Sequence, residues 1–166
     1  DLVVRNKVRN ENALRLTIRR MAECVRQPVA YNRLSNLVKS TGVNCHPNTV
    51  IDFVGFLRDA CLTFSLTNYV SKFSERETIK KHYFVDNGLL NIFLNNFLNN
   101  DETALLENLC AIHLHQQYAE DQLYYYNRNV EVDFYLPEQR TAIQACYSLK
   151  DILTTEREIT ALVKLH

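Results

Sequence analysis

The sequence predicts an α+β fold in two parts, and three observations predict it. Apolar residues recur at helical spacing through the first sixty or so residues, with Arg, Glu and Asn between them. A run that alternates apolar and polar residues follows at 62–70, and a second strand-like run returns at 80–85. A further helical pattern at 102–119 then leads into three short strand-like runs. The first part is expected at about 1–86 and the second at about 87–166.

Val8, Leu14, Leu16, Ile18, Met21, Ala22 and Val25 predict a helix over 8–26, stopped by Pro28. Leu34, Leu37 and Val38 predict a second at 31–41, with Gly42 as its stop. Pro47 fits a first helical turn, with Asn44 or His46 as cap, and a third helix over 47–61 buries Val50, Phe53, Val54 and Leu57. A tight turn between the second and third helices is helix-turn-helix geometry. The run 62–70 reads as a strand, 71–78 as a polar connection and 80–85 as a second strand. Three helices closed by such a hairpin make a winged helix. Beyond it, Leu89 to Leu98 predict a helix over 87–98, and Asn95, Asn96, Asn99, Asn100 and Asp101 a polar connection. The helix at 102–119 carries Glu107. Strands follow at 122–126, 130–136 and 141–147, and a final helix is capped by Thr154 or Thr155, with Ile159, Leu162, Val163 and Leu165 as its core face.

Composition bounds the function. The 166 residues carry 19 basic and 19 acidic side chains, so no global field recruits nucleic acid or an anionic membrane, and any such binding needs a local patch. Five widely spaced cysteines without a C-x-x-C argue against a disulfide framework or a zinc knuckle and for a reducing cytoplasm. Apolar runs fall short of the roughly 18 residues a membrane span needs, so no membrane partner is expected. The chain opens on Asp1, and a fragment of a longer protein is expected.

Three segments carry a resemblance: 50–60 at the end of the helix-turn-helix; Lys80-Lys81-His82-Tyr83-Phe84-Val85-Asp86-Asn87-Gly88; and Leu106-Glu107-Asn108 followed by Glu131-Val132-Asp133-Phe134. With the tail 143–149 and 155–159, they resemble the uncharacterised C-terminal region of predicted bacterial and archaeal AAA+ ATPases, in the expected order over essentially the whole chain. The resemblance implies a winged helix followed by a truncated, degenerate domain of the restriction-endonuclease-like PD-(D/E)xK fold. It also implies an ATPase domain upstream in the same polypeptide, with ATP as that domain's cofactor. No G-x-x-x-x-G-K-[ST] loop occurs in these residues, so none is expected to bind ATP by that means, and no cofactor is expected here.

The nuclease pattern maps onto Glu107, Asp133 and Gln144, with Cys146 where a lysine is wanted. Metal-assisted phosphodiester cleavage needs carboxylates to hold Mg²⁺. A neutral amide is a weak ligand and a thiol does not replace an ammonium. The expectation is therefore a non-catalytic region of an AAA+-type ATPase, with Glu107 and Asp133 as a weak, vestigial metal pair. The alternative is a Mg²⁺-dependent nuclease acting through those acids. Glu131 and Asp133, two apart on a strand, should project together. His113 and His115, two apart on a helix, should not chelate together, and His115 fits a solvated surface. Tyr124, Tyr125 and Tyr126 read as fillers of the two faces of a sheet. For nucleic-acid contact the candidates are Lys72, Arg76, Lys80 and Lys81 on the wing and Asn48 on the third helix. Asp52 and Asp59 on that helix would repel phosphates, so a protein partner is an equal expectation.

Overall fold

The computed structural model describes residues 2–94, 102–148 and 152–165, and the fold is mixed α/β. Among the described residues there are eight helices and two three-stranded antiparallel sheets. The predicted connection at 95–101 lies outside the described residues.

A short α1 (Leu2–Arg5) precedes α2 (Glu11–Glu23). Asn10 starts α2, its side chain accepting the Ala13 N–H at 2.9 Å. Two residues, β1 (Val29–Ala30), lead into α3 (Tyr31–Lys39). Gly42 ends the turn after α3 at φ +85°, where a side chain would be strained. Helix α4 (Pro47–Asp59) opens on Pro47 as expected. The expected cap is corrected: His46 holds the N-cap position but makes no capping bond with its side chain.

Strand β2 covers only Thr63–Leu66, and the polar connection after it is not bare loop, since α5 (Phe73–Thr78) forms there. Strand β3 (Ile79–Phe84) returns antiparallel to both earlier strands, giving the order β1-β3-β2. It is therefore central, and its last four residues, Lys81 to Phe84, are all buried. Helices α6 (Asn87–Leu94) and α7 (Glu102–Gln117) follow. Helix α7 does not bury a simple apolar stripe. It buries Glu107 and Asn108 beside Ala104, Ala111 and Leu114, while Leu109 is 54% exposed.

The second sheet has the order β4-β5-β6, from β4 (Tyr124–Asn127), β5 (Glu131–Leu136) and β6 (Thr141–Ile143). The predicted strand at 141–147 is cut short for a local reason. After the Phe134↔Ile143 pair, side chains replace the ladder: the Asp133 N–H donates to Gln144 Oε1 and the Ala145 N–H to Asp133 Oδ2, each at 3.1 Å. The final helix, α8 (Ile152–Leu165), starts before Thr154 and Thr155, so neither caps it. Its expected core face is also corrected. Ile159 and Val163 are 53% and 67% exposed, while Leu162 and Leu165 are half-buried and, among the described side chains of this helix, Ala161 is buried.

The two sheets meet edge to edge. Tyr69 N–H donates to Tyr125 O (2.9 Å) and Tyr125 N–H to Thr67 O (3.1 Å), a parallel bridge beyond the end of β2. The Asn68 side chain seals it, donating to Asn127 O at 2.7 Å and accepting the Asn127 N–H at 3.0 Å. One buried apolar cluster runs from Ala13 through Tyr83, Phe84 and Ala111 to Phe134 and Leu136. It passes without interruption across the boundary expected near residue 86.

Candidate functional site

The site forms where β3 faces α7 and β5. Strand alternation puts Lys81 and Tyr83 on one face of β3 and Lys80 and His82 on the other. Lys81 is 0% exposed, and its ammonium lies 3.1 Å from Asp133 Oδ1, 3.3 Å from Glu131 Oε1 and 3.4 Å from Glu107 Oε1. Its Nζ also sits 5.7 Å from the centre of the Tyr125 ring. Tyr83, two residues on, donates its hydroxyl to Glu107 Oε1 at 2.8 Å. Arg26, just past α2, approaches the other Glu107 oxygen at 3.5 Å.

Helix α7 is held in place by the residue next to Glu107. Asn108 accepts the Phe84 N–H at 2.9 Å and donates to Phe84 O at 3.0 Å, so its amide pairs with the backbone at the end of β3. Its Nδ2 also donates to Asn87 Oδ1, and Asn87 in turn donates to Leu105 O.

The electrostatics follow from burial. Loss of water pushes the Lys81 pKa down, but Glu107, Asp133 and Glu131 push it up, and the net direction is upward: the ammonium stays charged. Burial raises the Glu107 pKa above its ordinary value, with Lys81 as the largest opposing influence. Tyr83 is held well above the usual phenol value, first by burial and then by Glu107 and Asp133, and remains a donor. Removing a partner from a buried charge group of this kind costs about 3–5 kcal/mol, because the remaining charges are left uncompensated.

The structure brings the predicted acids together, but around an ammonium. Glu131 and Asp133 project to the same side, as strand alternation requires, since both reach Lys81. Gln144 joins them by accepting the Asp133 N–H with its own oxygen. Cys146 is half-buried, with its thiol 3.2 Å from Ser148 O. Whether these residues suit a divalent ion can be tested on their oxygens. Asp133 Oδ1 faces Lys81, Asp133 Oδ2 takes the Ala145 N–H, Glu107 Oε1 faces Lys81 and Tyr83, Glu107 Oε2 faces Arg26, and Gln144 Oε1 is engaged. All five of these oxygens are already engaged, so the residues present do not fit Mg²⁺. Among the described residues no group of three or more His, Cys, Asp or Glu is arranged to hold a metal ion.

The nucleic-acid candidates are dispersed. Lys81 is corrected from an open wing residue to a buried one. Lys72 is exposed at the start of α5 and Asn48 on the first turn of α4. Lys80 is half-buried and lines a cleft of about 270 Å³ with Tyr31, Arg58, Glu77 and Glu120. The Arg76 guanidinium is used internally, donating to Ser71 O and Tyr69 O and lying over the Tyr124 ring. His115 is corrected from a solvated position: its ring stacks on Phe64 with centroids 4.1 Å apart. The tyrosines divide as read, Tyr125 buried and Tyr124 and Tyr126 half-buried against Tyr69 and Tyr135.

Sequence reasoning missed Lys81, Tyr83 and Arg26 as partners of Glu107, and Asn108 as the residue that ties α7 to Phe84. A signal existed for Lys81. Consecutive lysines on a strand face opposite ways, so if one face is covered, one lysine must be buried and paired.

A cavity of about 680 Å³ opens beside the group, lined by Arg26, Glu107, Glu131, Asp133, Gln144 and Glu156 among others. No described helix is long and apolar enough to cross a membrane. Fold and site thus define a class: a mixed α/β protein whose two sheets are cross-tied by a buried lysine–carboxylate group. Residues 1–102, more than half of the chain, match the family described as Domain of unknown function (DUF8612), and the chain belongs to that family. No curated protein and no solved structure matches the chain.

Proposed function

We propose that this chain is a non-catalytic recognition or regulatory region that works with an AAA+-type ATPase domain of the same polypeptide. In this reading a winged helix engages DNA or a protein partner, and a degenerate PD-(D/E)xK scaffold packs behind it. The observation that carries the reading is the Lys81 ammonium, 3.1 and 3.4 Å from Asp133 and Glu107 and shut off from solvent. Those are the two acids that cleavage chemistry would need free. The order α2, β1, α3, α4, β2, β3 with strand order β1-β3-β2 supports the winged helix. Lys72 and Lys80 remain for backbone phosphates, while Asp52 and Asp59 on the exposed side of α4 weaken direct base reading.

The nuclease reading keeps one observation in its favour: an ammonium does stand beside both acids, although it comes from β3 and not from position 146. One pair of assays separates the two. With linear duplex DNA and Mg²⁺ or Mn²⁺, no cleavage is expected. A gel shift that weakens with salt, and is abolished in Lys72→Glu/Lys80→Glu, is expected if the partner is DNA. Cleavage that disappears in Asp133→Asn would make the chain an enzyme and end the non-catalytic reading.

A further inference from the structure

We infer that the exposed outer side of α2 and α3, with the turn that leads into α2, is a second phosphate-binding face, and that it takes the backbone of a nucleic-acid duplex without reading its sequence. This needs neither the winged helix nor the ATPase, only the placement of charge. Balance over the whole chain hides a division along it. Residues 1–40 carry nine Lys and Arg against three acids, whereas residues 101–166 carry five against eleven. Three of the nine are committed elsewhere: Arg26 reaches Glu107, and Arg19 and Arg20 share Glu23. The other six, Arg5, Lys7, Arg9, Arg15, Arg33 and Lys39, are all exposed and have no ion-pair partner among the described residues. Against them stands Glu11, also exposed.

The fold gathers these cations. On α2, the exposed Asn12, Arg15 and Arg19 share one side of the helix. On α3 the exposed side holds Asn32, Arg33, Asn36 and Lys39, with no acid among them. The two helices pack on each other. Burial raises the pKa of the Cys24 thiol at the end of α2, and Arg33 and Arg20 oppose it, so the start of α3 lies against the end of α2. Burial likewise raises Cys45, opposed by Thr17 of α2 and Lys39 of α3, so the far end of α3 approaches the middle of α2. The turn before α2 is ordered as well. Val8 N–H donates to Val3 O at 3.0 Å and Lys7 N–H to Val4 O at 3.2 Å, with Lys7 at φ +50°, a closed helix cap that glycine fills more easily. The chemistry of the face selects the partner. No large apolar side chain of α2 or α3 is exposed. An anionic membrane would want an apolar side to insert, and a protein partner an aromatic or aliphatic anchor. Cations with amides between them and no such anchor suit phosphate oxygens. Helix α2 is about 20 Å long, enough for its cations to meet several phosphates of a duplex.

The test is a fluorescence-anisotropy titration of short DNA duplexes of unrelated sequence with the 166-residue chain, repeated over a range of salt concentrations. The wild type is expected to bind them alike. Arg15→Ala/Arg33→Ala/Lys39→Ala is expected to weaken binding by about tenfold or more at low salt, for every duplex, and to lower the slope of log affinity against log salt by about 2–3. All three side chains are exposed, so the fold should survive the change. Arg15→Lys/Arg33→Lys/Lys39→Arg keeps the charges and should bind as the wild type does, which separates charge from folding. Wild-type affinity and slope in the alanine variant would overturn the inference; if Lys72→Glu/Lys80→Glu nevertheless abolishes binding, the wing reading stands without it. No duplex binding by the wild type would overturn it and leave a protein partner for the winged helix. Binding to phosphatidylserine vesicles in place of duplexes would overturn it as well.

Discussion

Lys81 and His82 are neighbours on β3 and meet opposite fates. The lysine faces three carboxylates and keeps its charge. The histidine, on the other face, is 1% exposed; its Nδ1 lies 2.8 Å from Ser65 Oγ, and its Nε2 has no hydrogen-bond partner among the described residues. Burial, and then the charge of Lys80, lowers its pKa from 6.5 to about 4. The folded protein thus resists protonating His82, while the unfolded chain accepts the proton readily. The stability that neutral His82 supports is present above pH 6.5 and is lost as the pH falls through about 4. That loss is on the order of 3 kcal/mol for a fully buried group. Urea unfolding of the wild type, followed as the pH is lowered from above 6.5 to near 4, should show this loss. His82→Gln, which keeps an acceptor for Ser65, should show a clearly flatter curve. Equal slopes for the two proteins would mean that His82 is not the titrating group.

At the scale of elements, Asn108 fixes where α7 sits. Its amide replaces a neighbouring strand for Phe84, giving and taking one hydrogen bond each. Asn108→Leu is nearly the same size but leaves a buried N–H and C=O of Phe84 unpaired, at a cost of about 1–3 kcal/mol. The neighbouring Glu107 depends on the same placement, so chemical-shift changes at Lys81 and Tyr83 should accompany the loss in a urea melt. A neutral outcome would show that the helix is positioned by apolar packing alone. Several elements were legible from the chain. Helices α2, α3 and α4 follow their apolar periodicity, and β5 follows its alternation of Val132, Phe134 and Leu136 with Glu131 and Asp133. What could not be read was decided by distant partners. Strand β6 ends early because an Asp133 oxygen and a Gln144 oxygen take the place of backbone groups. The partners of Lys81 lie 26 and 52 residues away in the chain, beyond any local pattern. The acids Glu107 and Asp133 were legible as a pair; the ion between them was not.

For the whole molecule, the contacts at the centre cross from the first part to the second. Tyr83 packs near Phe64 and Phe134, with ring centroids 5.7 and 5.9 Å apart, and the charged group ties β3 to α7 and β5. Separating the parts would expose those rings and strand buried charges together. Equilibrium unfolding is therefore expected as a single transition, with tyrosine fluorescence and far-ultraviolet circular dichroism coincident. Two resolved transitions would show instead that the parts on either side of residue 86 are independently stable.

The bridge between Asn68 and Tyr125 has a consequence for solubility. Exposed strand margins are templates on which stray chains add and fibrils begin. Here the margin beyond β2 and the margin of β4 are spent on each other. The other outer strands among the described residues, β1, β2 and β6, are two, four and three residues long, too short to seed a growing ribbon. By closing its own seams, the molecule leaves little backbone for a wandering copy to extend.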